Sequence, residues 1–239
     1  MQVSNVFRLE VKNILKNQWL YFSLIISVLL ASALVYAIKF MQGPFTIKAI
    51  SGFYGIGSTI ALAIFCTKLY LDDLGSGTIT LFFSSQKNRK NYLVGKLLAA
   101  LLLGFLFGGV CSLVLLSSSA YLGWEIKLLE FIIEPILIYI LFSIFYMLLF
   151  FLIGIFERNT NNLIIITIIT VLAIPSVVER IKLEKASVIV REIINHVPIF
   201  FMVQGTKYLQ LSSDKLIILS SLIVVLFMTC YYLIGKANY

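Results

Sequence analysis

Charged positions divide this chain into long apolar runs. Residues 17–38, 49–67, 97–124, 135–156, 159–178 and 216–235 contain no Asp, Glu, Lys or Arg. Each meets or nearly meets the roughly 20 helical residues needed to cross a hydrocarbon core. The pattern therefore predicts an all-α integral membrane protein, a single transmembrane domain over 1–239. Six spans are expected, at 18–38, 51–71, 92–120, 135–156, 161–178 and 215–235. A seventh apolar run, 193–206, is too short to cross and is interrupted by Pro198 and Gly205. It reads as a re-entrant or interfacial element inside an extracellular segment, 179–214. Pro175 is expected to bend or end the fifth span.

Two stretches depart from the simple alternation of span and loop. In residues 1–17, Val3, Phe7, Val11, Ile14 and Leu15 recur at helical spacing and Gln18 continues the row. Arg8, Glu10, Lys12 and Lys16 fall largely on another face. This predicts an amphipathic helix lying in the inner-leaflet interface, with Trp19 and Tyr21 as an aromatic anchor. Ala31-Ser32-Ala33 resembles a signal-peptide cleavage site, but the uncharged run from Asn17 to Ile38 is long enough to span.

The second stretch is Lys68–Lys96. It holds the acidic pair Asp72 and Asp73, a Gly75-Ser76-Gly77 turn, the apolar patch Ile79-Thr80-Leu81-Phe82-Phe83 and the basic run Lys87-Asn88-Arg89-Lys90. The patch is too short to span and too apolar to stand uncovered in water. A short helix docking into a groove on another protein is expected within the segment 72–91.

Composition agrees with a membrane location. Hydrophobic residues make up 60% and charged residues 13% of the chain, and the mean hydropathy is +1.01. Soluble domains carry about 25% charged residues. The net charge of +8 has no long Lys/Arg block behind it, which points to topology and lipid headgroups and away from nucleic acid. Basic residues favour an orientation with both termini in the cytoplasm. Arg8, Lys12, Lys16, Lys68, Lys87, Arg89, Lys90, Lys96, Arg158 and Lys236 then lie inside, with Lys39, Lys48 and Lys127 in short outer loops. Outside, 179–215 is either a lid over a central pathway or an amphipathic loop resting on the outer leaflet.

Several residues that could carry chemistry have plainer explanations. Cys66, Cys111 and Cys230 each sit in an apolar run and read as small buried hydrophobes. His196 is the sole histidine, which leaves no His-based metal site. Gly104 and Gly108 form a GxxxG pair that predicts close helix packing, within the subunit or across a dimer. Glu130 and Glu134 read as solvated caps at the outer end of the fourth span. No span carries a charge near its middle, unlike ion-coupled carriers. Gly95-Lys96 lacks the rest of a phosphate-binding loop, because Lys90 stands where the first glycine belongs and Leu97 follows the lysine. Work done by such a chain must draw its energy from a partner.

One family combines these features. An acidic position (Asp72/Asp73), Gly77-Thr78-Ile79, the cluster Ser84-Ser85-Gln86-Lys87-Asn88-Arg89 and Tyr92-Leu93-Val94-Gly95-Lys96 together resemble ABC-2-type transporter permeases. The order of elements resembles that family along the whole chain. Within it the layout is most similar to Gram-positive peptide exporters, such as phenol-soluble modulin exporters and bacteriocin-immunity permeases. The resemblance implies a permease subunit that pairs with a second copy, a homodimer, and with two ABC ATPase subunits. ATP and Mg would be bound by the ATPase, with no cofactor and no catalytic or metal site in this chain. It further implies coupling to the ATPase through Asp72, Asp73, Gly77, Thr78, Ile79, Leu81, Phe82, Phe83, Ser84, Lys87 and Arg89. Glu157, Arg158 and Asn159 would form a second cytoplasmic contact. Amphipathic peptide is the implied cargo. A multidrug or lipid exporter, a channel, and a membrane sensor or immunity scaffold remain as alternatives.

Overall fold

Several helix starts fall where a capping side chain stands. A computed structural model describes residues 2–43, 45–76, 85–125, 128–157, 159–174, 177, 187–209 and 211–236. The first helices are α1 (Val3–Lys16) and α2 (Gln18–Met41), the second begun by Asn17, whose side chain accepts the Trp19 N–H at 3.0 Å. Next come α3 (Ile47–Gly75) and α4 (Gln86–Leu122), the latter capped by Ser85 accepting from the Asn88 N–H. A π-helical turn, Leu129–Ile133, leads into α5 (Glu134–Phe156), with Pro135 in its first turn. Asn159 caps α6 (Thr160–Ile168), which continues as a second π turn, Ile169–Ala173. Then follow α7 (Val188–His196), α8 (Pro198–Tyr208) and α9 (Ser213–Lys236). Each cap satisfies an N–H that the first helical turn leaves without a partner.

The architecture is all-helical, with no strand among the described residues. Five helices are long and apolar enough to cross a membrane: α2, α3, α4 from Lys87, α5 with its π turn, and α9 to Ile234. The fifth predicted span is described only in part. Within 161–178 the helix is described over Thr160–Ala173, nine α and five π residues. At helical rise this reaches about 20 Å, short of a bilayer core. Pro175 lies outside the described residues. The break expected at Pro198 is present. Val197 is extended (φ −90°, ψ 117°) between α7 and α8, because a residue preceding proline is pushed out of the helical region. Beyond it α8 turns Phe201, Met202, Val203 and Thr206 inward against α3 and α5.

α3 is the central strut, packed against α2, α4, α5, α6 and α8. It carries polar residues along its length, and apolar surroundings demand that these be satisfied within the bundle. The Tyr54 hydroxyl donates to the Phe107 carbonyl on α4 at 2.8 Å. Ser58 and Tyr139 share a hydroxyl hydrogen bond of 2.6 Å with α5. Lower down, Thr67 meets Thr167 of α6 at 3.0 Å, and the Tyr70 hydroxyl donates to the Gly154 carbonyl of α5 at 2.9 Å. Around these bonds lies an aromatic core from α5, including Phe142, Phe145, Tyr146, Phe150 and Phe151, all buried. α2 and α9 instead expose large apolar side chains, Ile25, Leu29, Val224, Val225 and Met228 among them. That is the pattern of lipid-facing helices.

The GxxxG pair packs within the chain. A Cβ placed on Gly108 would lie 2.7 Å from the Ile136 Cα, and one on Gly104 would lie 2.6 Å from the Ile140 Cα. α4 and α5 therefore touch backbone to backbone. Gly109, beside them, has nothing within 4 Å of such a Cβ. Overpacking a rigid contact costs about 1–3 kcal/mol. Gly108→Leu is expected to lower the melting temperature in detergent and Gly109→Leu to leave it near wild type. Equal melting of the two variants would mean that α4 and α5 do not meet at Gly108.

Candidate functional site

The base of the bundle, where α3 ends and α4 begins, holds a charge cluster that no single helix could create. Tyr92 and Lys96 stand four residues apart on α4 and so share one face. Between them Gly95 leaves room for α1. A Cβ there would lie 2.7 Å from the Cβ and Cγ1 of Val6. Val6 and Glu10 are likewise four residues apart, so seating Val6 on Gly95 delivers Glu10 to Lys96. The Lys96 ammonium donates to Glu10 Oε1 at 2.7 Å and contacts Asp73 Oδ2, from the last turn of α3, at 2.5 Å. The Tyr92 hydroxyl donates to the same Asp73 oxygen at 2.7 Å, and its ring lies 5.1 Å from the ammonium.

All three ions are withdrawn from solvent. Lys96 is 1% exposed, Glu10 5% and Asp73 8%. A buried charge without a partner costs several kcal/mol, so each member holds the others in place. Burial raises the Glu10 carboxyl above its ordinary value, and Lys96 pulls it back only in part. The cluster joins three segments distant in sequence: α1, the end of α3 and the start of α4. Nearby, Phe151 lies between the rings of Tyr70 (5.0 Å) and Tyr92 (6.3 Å), and the Lys90 ammonium sits 4.3 Å from the centre of the Tyr231 ring on α9. No set of three metal-binding side chains occurs among the described residues. The arrangement is suited to holding helices in register.

The residues expected to couple to a partner divide into three groups. Asp72 is exposed and Asp73 is buried, so the acidic pair does not present one edge. Lys87 is exposed, while Arg89 is half-buried and engaged in contacts of its own. Gly77, Thr78, Ile79, Leu81, Phe82, Phe83 and Ser84 lie outside the described residues, as does Arg158. Glu157 accepts the Asn159 N–H at 2.8 Å, and Asn159 caps α6. The two belong to one tight loop between α5 and α6.

One expectation is corrected. Glu10 does not share the solvated face of α1 with Arg8 and Lys12. It lies on the buried face with Val6 and Ile14, because a cation 86 residues away compensates its burial. Lys96, counted as a topological marker, is the fully buried partner. The i,i+4 spacings Val6/Glu10 and Tyr92/Lys96, with Gly95 beside the second, fit the pairing but do not by themselves name the two helices as partners.

Removing one partner of a buried ion set typically costs about 3–5 kcal/mol. Lys96→Met leaves two carboxylates facing each other and is expected to collapse stability in detergent. Glu10→Gln keeps the hydrogen bond, relieves a raised carboxylate and should cost far less. The pH dependence follows in sign. A raised carboxyl favours the folded state fully below its ordinary range, and that contribution is lost as pH rises through the raised value. Glu10→Gln should therefore flatten this part of a melting-temperature profile taken from neutral pH downward. Equal damage from Lys96→Met and Glu10→Gln, with unchanged profiles, would contradict the cluster.

No protein-family model matches this chain, and no curated protein matches it.

Proposed function

We propose that this chain is the membrane-spanning permease subunit of an ATP-driven ABC exporter, moving amphipathic or hydrophobic peptides out of the cell or its inner leaflet. In this reading a separate ATPase hydrolyses ATP, and two permease and two ATPase subunits assemble. Both termini face the cytoplasm of the cell that bears it. The apolar helix from Thr160 belongs to a fifth of six spans, and α7 with α8 forms an extracellular re-entrant element. The sequence resemblance described above supports the family.

The observation that carries the mechanical part is where the two flanks of segment 77–84 end. Upstream, Asp73 stands in the last turn of α3. Downstream, α4 begins at Gln86, about two turns before Tyr92 and about three before Lys96. Both flanks run into the same buried cluster, which also holds α1. A push on the segment is thus delivered to three helices together, and a rigid connection of this kind is what a coupling element requires. Glu157 and Asn159 lie at the same end of the bundle, and with Arg158 they are assigned to a smaller second contact. Away from the basal cluster, the aromatic-rich interior around α5 suits cargo entering sideways from lipid.

Phe82 and Phe83 are assigned to an apolar groove on the ATPase, with Lys87 guiding the approach. Aromatic anchors in such interfaces are worth about 2 kcal/mol or more, and rim charges less. Phe82→Ala with Phe83→Ala is expected to release a co-purifying ATPase and abolish its peptide-stimulated hydrolysis in lipid. Recovery of the ATPase at wild-type yield, with turnover still stimulated by peptide, would overturn the coupling assignment. Stimulation by lipid or drug but not by peptide would move the cargo to those classes.

A further inference from the structure

Helix α1 has four distinguishable sides, and one of them points away from the bundle. Val6, Glu10 and Ile14, spaced by four, form the side buried against α4. Arg8, Lys12 and Lys16 are also spaced by four and form a second row. At about 100° per residue this row lies about 160° around the helix from the buried one. All three cations are exposed. Glu10 is the sole acid in α1, and it is turned inward to Lys96. The outer row therefore has no carboxylate from its own helix beside it. The two remaining flanks differ in character. Val3, Phe7, Val11 and Leu15 make one of them apolar, whereas Asn5 and Asn13 stand on the other, beside Leu9.

The flanks orient the helix. α1 ends where α2, one of the helices long and apolar enough to cross a membrane, begins. The elbow between them is held by the Tyr21 hydroxyl, which donates to the Leu15 carbonyl at 2.8 Å. Leu15, Trp19 and Phe22 are exposed around it, and the Trp19 and Phe22 rings meet edge to face at 5.9 Å. Exposed aromatic rings at the end of a spanning helix mark the headgroup level of a bilayer. With the apolar flank turned to the acyl chains, the cations lie along the outer edge of α1 in the headgroup layer, where long basic side chains meet phosphate. The row extends over about 12 Å of helix, so its charges face a surface of phosphates and not one small anion. We propose that Arg8, Lys12 and Lys16 form a binding row for anionic phospholipid headgroups, which hold α1 on the leaflet and thereby keep Glu10 on Lys96. Charge sets the occupant. Three cations with no acid on their side complement a phosphodiester of net negative charge, as in phosphatidylglycerol. A zwitterionic phosphocholine fits less well, because its own cation offsets its phosphate.

The test uses the full chain carrying Trp124→Phe, which leaves Trp19 as its one tryptophan. The chain is reconstituted in phosphatidylcholine vesicles holding a minority of phosphatidylglycerol. Bromine on an acyl chain quenches a tryptophan beside it. The label is placed on the phosphatidylglycerol in one sample and on an equal mole fraction of phosphatidylcholine in the other. Trp19 is expected to be quenched severalfold more by the brominated phosphatidylglycerol. Each basic residue near an anionic surface contributes roughly fivefold in affinity, so Arg8→Gln/Lys12→Gln/Lys16→Gln should bring the two lipids level. Raised salt should erode the preference in the chain that keeps the row. In detergent, added phosphatidylglycerol should raise the melting temperature of the wild type and leave that of the triple variant unchanged. Should the triple variant not fold, the three single glutamine variants are each expected to lose part of the preference. Equal quenching by the two lipids with the row intact, or a preference untouched by the glutamine variants, would overturn the proposal. So would loss of the preference to excess soluble glycerol phosphate, which would make the row a site for a free phosphate. None of these readouts involves ATP or an ATPase, so the transporter assignment and this surface can fail independently.

Discussion

The arrangement of this protein rests on one buried ammonium. Lys96 belongs to a helix that enters an apolar bundle, and a lysine there must find anions or draw water in with it. It finds two, Glu10 and Asp73. The consequence reaches well beyond the pair distances. Glu10 comes from a helix whose composition alone would leave it floating at a membrane surface. The ion pair and the seating of Val6 on Gly95 make that helix a structural member of the bundle. Asp73 comes from the strut that every inner helix touches. With Tyr92 donating to the same carboxylate, the ion set is hydrogen-bonded on more than one side, which is the condition under which buried charge is tolerated.

The same strut distributes the constraint. Thr67, Tyr70 and Asp73 follow one another at three-residue intervals on α3. Each such step turns the helix by about 300°, equivalent to about 60° backward, so successive side chains fan out in place of stacking. Thr67 accordingly meets α6, Tyr70 meets α5, and Asp73 meets α4 and, through Lys96, α1. Single interhelical hydrogen bonds in membranes are worth only about 0.6 kcal/mol on average. Their value here is directional. Each fixes the rotation of a neighbour about its own axis, while aromatic packing around Phe151 supplies the cohesion.

How much of this was legible follows from what each signal measures. Uncharged run length reports solvent for a helix as a whole, and it located α2, α3, α4, α5 and α9. The fifth run is described as helix only from Thr160 to Ala173, loosening into a π turn at Ile169, a change that length in sequence does not show. Proline chemistry is local, so the break before Pro198 was readable. Glu10 was not. Periodicity assigns a charged residue to the wet face by default, and only a compensating charge from elsewhere in the chain reverses that choice. The same blindness made Lys96 look like a topological marker. Gly104 and Gly108 announced close packing correctly but not its partner, since a glycine pair says that something approaches and not what.

The two ends of the molecule are mechanically one object. α3 contributes Asp73 to the basal cluster, and Lys48 and Ser51 to the wall of a cavity of about 530 Å³ at the opposite end of the bundle. The 25 residues between Lys48 and Asp73 span about 38 Å of continuous helix. Tilting such a rod about its midpoint by about 3° displaces each end by about 1 Å, the scale on which helix shifts switch proteins between states. α3 is not free to tilt alone. Tyr54 ties it to α4 near the distal end, and the ion cluster ties the two again at the base. α4 in turn contacts the backbone of α5 at Gly104 and Gly108. Motion of the basal cluster therefore carries α3, α4 and α5 as a block.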